Sequence, residues 1–90
     1  MNHQEAVDRS ERILTALDTE FGPLNPAQKF HLQVALILTL KTGKAEEFWG
    51  GTAADHNGLI QAGICNPRQG ILTSSVSFTP AASLIISNTK

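Results

Sequence analysis

Residues 25–43 of the 90-residue chain read NPAQKFHLQVALILTLKTG, a segment with clear helix signals at both ends. Asn25 is a good N-cap, and Pro26 at the first helical position loses no hydrogen bond, because that N–H would be unpaired anyway. Gln28 lies three residues after the cap and can accept a hydrogen bond from the cap's own N–H. Gly43 can adopt the left-handed conformation that ends many helices. The sequence therefore predicts one helix between these two ends.

This helix carries two apolar ridges at about 100° per residue. The first, the Phe30 ridge, consists of Ala27, Phe30, Val34, Ile37 and Leu38. The second, the Leu36 ridge, consists of Leu32, Leu36 and Leu40. An exposed side chain of leucine size forgoes roughly 1.5–3 kcal/mol of burial, so both ridges need a cover. The helix is therefore expected to be the centre of the domain or an element shared between subunits.

The neighbouring segments predict two further helices. Apolar residues recur at helical spacing through residues 4–21, and Gly22-Pro23 ends that segment. The connection to the next helix is so short that the two should form an antiparallel hairpin, with the first helix covering the Phe30 ridge. A short helical turn is expected within residues 44–51, and a third helix between a Thr52 cap and Gly63.

The pattern changes after Ile64, where apolar and polar residues begin to alternate. Residues 71–78 and 83–87 are predicted to form two strands joined by a turn at Pro80. A competing interpretation makes Thr79 the N-cap of a helix that begins at Pro80 and runs through Ile86, but isoleucines and serines favour the strand. The predicted fold is therefore α+β, with an antiparallel helix pair, a short third helix and a C-terminal antiparallel β-hairpin packed on them.

One domain should contain the whole chain, residues 1–90. Its predicted parts are a helical hairpin in residues 1–43, short helices in residues 44–63 and a β-hairpin in residues 64–90. A formal charge of −1 provides no field that would attract nucleic acids or anionic membranes. A single cysteine excludes an internal disulfide, and the N-terminus lacks the apolar run of a signal peptide. We expect a small cytoplasmic protein of a bacterium or a phage, without membrane association.

Candidates for catalysis and metal binding are few. A nucleophile would have to be Cys65, with His31, Asp55 or His56 as its partners, yet this cysteine follows a helix C-terminus, which disfavours a thiolate. The candidate metal ligands are His3, His31, His56, Cys65 and Asp55. No two of them show the spacing of a metal site, and no glycine-rich phosphate loop is present. We therefore predict no enzymatic activity, no cofactor and no metal.

The order of three helices, a short strand, a turn and a longer strand suggests a DNA-binding alternative. Residues 59–64, the turn at 66–70 and residues 76–80 resemble the end of the recognition helix, the wing and the wing exit of winged-helix regulators. The resemblance implies a dimeric regulator whose DNA contacts would be His56, Asn57, Gln61 and Arg68. One or two bases per chain supply little phosphate neutralisation, so nucleic acid is not the favoured partner.

Protein association is the function that the sequence favours. The Leu36 ridge lacks an assigned cover, and Trp49 is of the residue type most enriched at binding hot spots. The predicted interface is therefore Leu32, Leu36, Leu40 and Trp49. The expected partner is a second copy of the chain, giving a homodimer, or another protein.

Overall fold

The computed structural model describes residues 1–43, 47–48, 50–67 and 75–90, and most of these residues are helical. The four helices are α1 at His3–Phe21, α2 at Pro26–Thr42, α3 at Ala53–Ala62 and α4 at Pro80–Asn88. The first three were predicted from the sequence to within one or two residues. The fourth spans all of residues 83–87, for which a strand was preferred.

The ends of α2 and α3 are set by the residues that the sequence indicated. Asn25 Oδ1 accepts the N–H of Gln28 at 2.7 Å, and Gln28 Oε1 accepts the N–H of Asn25 at 3.0 Å, so both halves of the capping box are present. The side chain of Thr52 caps α3. Gly43 and Gly63 end the two helices at φ values of 74° and 91°, where a side chain would strain the backbone.

Helices α1 and α2 pack as an antiparallel pair. Three polar contacts join them in antiparallel order: Lys29 Nζ to Asp18 Oδ2 at 3.9 Å, Gln33 Nε2 to Ser10 Oγ at 3.3 Å, and Lys41 Nζ to His3 Nδ1 at 3.4 Å. The connection is held by Asp18, whose Oδ1 accepts the N–H of Leu24 at 2.8 Å. The predicted helical hairpin is therefore present.

Both ridges of α2 were expected to be covered, but the structure buries the Leu36 ridge and leaves most of the Phe30 ridge exposed. Leu32 and Leu36 are fully buried within the single chain, and Leu40 packs half-buried against the core. On the other ridge, Phe30 keeps 62% of its surface exposed and Val34 keeps 42%. The sequence predicted that α1 would cover the Phe30 ridge, and this prediction is wrong.

The polar residues beside the Leu36 ridge explain this orientation. On one side, Lys29 and Gln33 make contacts with α1. On the other side, Gln28 Nε2 donates to the backbone oxygen of Asp55 in α3 at 3.2 Å. Because the polar groups on both flanks find partners inside the fold, the ridge between them is carried into the core. The Phe30 ridge is left facing outward.

The core lies between α2 and the other helices. Its buried apolar residues come from the four helices, the connection between α1 and α2, and the two extended segments around residues 64 and 76: Ile13, Leu17, Leu24, Leu32, Ala35, Leu36, Leu59, Ile64, Cys65, Val76, Phe78 and Ala82. Ser10 and His56 are buried polar residues at its boundary. All four helices contribute to this one core.

The predicted α+β class with a C-terminal β-hairpin is wrong, because the described part of the chain forms an all-α domain. Extended pairing in the described segments is limited to β1 at Glu47–Phe48 against β2 at Ser75–Val76, and to a single bridge between Cys65 and Phe78. Two-residue pairs are too short to form a sheet layer. Residues 71–74 of the predicted strand lie outside the described residues, and Glu47–Phe48 were expected in a helical turn.

Helix α4 forms because its ends are capped. Thr79 Oγ1 accepts the N–H of Ala82 at 3.2 Å, and Pro80 occupies the first helical position. At the other end, Arg9 of α1 donates to backbone oxygens of the last turn. These contacts outweigh the strand preference of Ile85 and Ile86, which is weak and depends on context. The helical alternative starting at Pro80 is therefore the observed one.

Candidate functional site

The outward-facing side of α2 is the most extended apolar surface among the described residues. This surface, the α2 outer face, consists of the exposed Pro26, Ala27, Phe30, Val34, Leu38 and Lys41 and the half-buried Ile37. Six of its seven members are apolar. Isolated apolar residues are common on protein surfaces, but a contiguous stripe along four helical turns indicates an interaction site.

The α2 outer face carries a charge only at its C-terminal end. Lys29 is the one charged residue between Pro26 and Leu40, and its Nζ is directed to α1, 3.9 Å from Asp18 Oδ2. Lys41 is exposed at the end of the stripe. A second apolar surface could therefore pack over the middle of the face without burying an unpaired charge, which would be costly.

The shape of the face is a single ridge. Phe30, Val34 and Leu38 follow one another at intervals of four residues, the i±4 row along which helices commonly pack. The ring of Phe30 lies edge-on to the ring of His31, with centroids 5.0 Å apart and an angle of 84° between the planes. This contact restrains the largest side chain of the ridge before any partner binds.

The structure places the predicted interface residues elsewhere. Leu32 and Leu36 are fully buried, and Leu40 packs against the same core, so none of the three forms an open surface in the folded chain. Trp49 lies outside the described residues. Helix α2 does present an apolar surface, but it is the ridge that the sequence interpretation had assigned to the interior.

The predicted DNA contacts do not form a reading surface. His56 is fully buried, whereas Asn57 and Gln61 are exposed on α3. Arg68 lies outside the described residues. The resemblance to winged-helix regulators is itself contradicted, because the described residues form a helical domain in which extended pairing is limited to two-residue segments and a single bridge.

Cys65, the candidate nucleophile for which the sequence predicted no catalytic role, is part of the core. Cys65 is 1% exposed, and burial raises the pKa of its thiol to about 12. Such a thiol stays protonated near neutral pH, whereas a nucleophile needs the thiolate. Among the described residues, no three His, Cys, Asp or Glu side chains cluster as metal ligands would. The described helices include none with the length and apolar character needed to cross a membrane.

A polar cluster around Asp55 joins the N-termini of α2 and α3. Asn25 Nδ2 donates to Asp55 Oδ1 at 3.0 Å, and Thr52 Oγ1 donates to Asp55 Oδ2 at 2.9 Å. These two hydrogen bonds, with the Asn25 bond the larger cause, lower the pKa of Asp55 from its ordinary value. One carboxylate thus links the capping residues of both helices, which fixes how α2 lies against α3.

This arrangement predicts an acid-sensitive contribution to stability. Because the pKa of Asp55 is lower in the folded chain, its stabilising effect is present above the unfolded value and is lost as the pH falls through the folded pKa. Asn25→Ser keeps an oxygen that can cap α2 but removes the amide donor. We therefore expect this variant to raise the pKa of Asp55 in a carbon-detected NMR titration. An unchanged pKa would contradict the assigned role of Asn25.

Comparisons with protein-family models, curated proteins and solved structures give no match for this chain. Its candidate site therefore rests on the geometry described above. Sequence periodicity did identify every residue of the Phe30 ridge. The signal that it missed was the pairing of Lys29, Gln33 and Gln28 with the neighbouring helices.

Proposed function

We propose that the protein is a small non-enzymatic association module, which binds a second copy of itself through the α2 outer face. The observation that carries the proposal is the exposure of Phe30, Val34 and Leu38 on one helix whose opposite side packs into the core through the fully buried Leu32 and Leu36. A face of this kind loses contact with water only when another apolar surface covers it.

A second copy suits the shape of this face. When the i±4 ridges of two helices interdigitate, the helices cross at about −50°, the commonest packing class. Since the two faces would be identical, a twofold axis near Val34 would bring the ridge of one copy beside the ridge of the other, as isologous dimers require. Lys41 would remain at the rim, where a charge is compatible with an interface.

The size of the face supports a weak dimer. An apolar patch of this kind measures on the order of a few hundred Å², whereas each partner in a standard interface buries about 800 Å². We therefore propose a reversible complex with a dissociation constant in the micromolar range or above, which dissociates when the protein is diluted below that concentration. Such a complex fits a cytoplasmic protein that associates according to its local concentration.

Cysteine cross-linking tests the proposed geometry. Single variants Phe30→Cys, Val34→Cys and Leu38→Cys are oxidised mildly as full chains, and disulfide dimers are measured on denaturing gels. Leu84→Cys is the matched control, because Leu84 is 63% exposed but lies on α4. The native Cys65 contributes little background, since its thiol is buried.

At least one of the three α2 variants should form a disulfide dimer much faster than the control. A disulfide needs its two Cα atoms within about 7 Å, so the fastest variant identifies where the two helices cross. If all three cross-link no faster than Leu84→Cys, the proposed contact between outer faces is wrong.

A further inference from the structure

The C-terminal end of α4 is held by arginine side chains of α1. Arg9 Nε donates to the backbone oxygen of Thr89 at 3.0 Å, and Arg9 Nη2 donates to that of Ile86 at 3.1 Å. Arg12 Nε donates to the backbone oxygen of Lys90 at 2.7 Å. The last carbonyl groups of a helix have no partner within the helix, so these bonds supply what the helix itself lacks.

At its other end, α4 is held by its N-cap Thr79, whose hydroxyl and N–H donate to the backbone oxygens of Gly63 and Ile64, but few of its side chains are buried. It is nine residues long and contains no charged residue of its own, so no basic side chain in its last turn complements the helix dipole. Ala82 is its single fully buried residue, while Leu84 is 63% exposed. A helix of this length is marginal in water without tertiary contacts.

We propose that Arg9 and Arg12 form a latch, and that α4 undocks from α1 as a unit while α1, α2 and α3 stay folded. Segments with few buried apolar contacts are those that open locally before a protein unfolds globally. Undocking exposes the packed sides of Ile85 and Ile86 and the part of the core that they cover. The latch thus controls access to apolar surface that the closed chain conceals.

Arg9 is the main holding residue, because it makes two of the three bonds and is half-buried, whereas Arg12 is exposed. The planar guanidinium group can donate to two carbonyl oxygens at once, which a lysine ammonium group in the same place does less well. The latch acts independently of the α2 outer face, since none of its residues belongs to that face.

Hydrogen exchange measured by mass spectrometry on the full chain tests the latch. Arg9→Met keeps an unbranched apolar side chain but removes the donors, and Arg9→Lys keeps the charge but removes the fork. The matched control is Glu11→Gln, an exposed position on the same helix. The exchange rates of the backbone amides in α4 are compared with those in α1, α2 and α3.

In Arg9→Met, we expect α4 amides to exchange about tenfold faster than in the wild type, with α1 and α2 unchanged. Arg9→Lys should give a smaller increase, and Glu11→Gln none. Unchanged α4 exchange in Arg9→Met would show that the arginine does not hold the helix. Equal acceleration in all helices would show that α4 opens only by global unfolding. Either result overturns the proposal.

Discussion

Leu36→Asp should abolish folding, whereas Leu38→Asp, the same substitution two residues further along α2, should leave a folded chain. Leu36 is fully buried in the core, and Leu38 lies 36% exposed on the outer face. Truncating a buried leucine costs about 2–5 kcal/mol. An aspartate at that position adds the cost of an unpaired buried carboxylate. Together these losses reach the total stability of a small domain, about 5–15 kcal/mol.

Circular dichroism and urea unfolding at low protein concentration check this pair of variants. Leu38→Asp should show a cooperative transition, with a loss of stability within about 1 kcal/mol of the wild type. Leu36→Asp should show no such transition. The opposite result, an unfolded Leu38→Asp beside a folded Leu36→Asp, would mean that the other ridge of α2 is the buried one.

Introducing charge into the α2 outer face should remove self-association without unfolding the chain. Phe30 and Val34 are 62% and 42% exposed, so a double Phe30→Glu, Val34→Glu variant has little packing to lose in the single chain. In the proposed dimer, the two introduced glutamates of one copy would face those of the other copy at the centre of the contact, and their carboxylates would repel each other. We expect the dissociation constant to rise at least about a hundredfold.

The matched control for this double variant is Leu84→Glu. Leu84 is as exposed as Phe30 but lies on α4, so its replacement changes net charge and surface polarity without touching the proposed interface. It should associate like the wild type. A double variant that remains folded and associates as strongly as this control would contradict the role of the outer face.

The sequence predicted the first three helices because their ends depend on local chemistry. Asn25 and Gln28 form their capping box within one turn, and Gly43 and Gly63 adopt the left-handed conformation that the positions require. None of these features depends on a residue distant in the chain. Local signals of this kind are the part of a fold that a sequence shows most directly.

Helix α4 was harder to predict because part of what stabilises it is remote in sequence. Thr79 and Pro80 signalled a helix start, while Ile85 and Ile86 suggested a strand. The contact that closes the C-terminal end comes from Arg9, about 80 residues away in the chain. Tertiary contacts of this kind routinely override local preference.

Which ridge of α2 forms the candidate site also depends on contacts between residues that are distant in the chain. Periodicity showed two apolar ridges on α2 but contained no information on which would face inward. The orientation of α2 is set by the contacts of Lys29 and Gln33 with α1 and of Gln28 with α3. The exposed ridge was therefore visible as a pattern, while its exposure became apparent only from the fold.

Sedimentation equilibrium of the wild-type chain, from micromolar to near-millimolar concentration, is the most direct test of self-association through α2. The average mass should equal one chain of 9.7 kDa at the lowest concentrations and rise toward twice that value at the highest. The Phe30→Glu, Val34→Glu variant should stay at the mass of one chain throughout. A wild-type mass of 9.7 kDa at every concentration would contradict the proposed dimer.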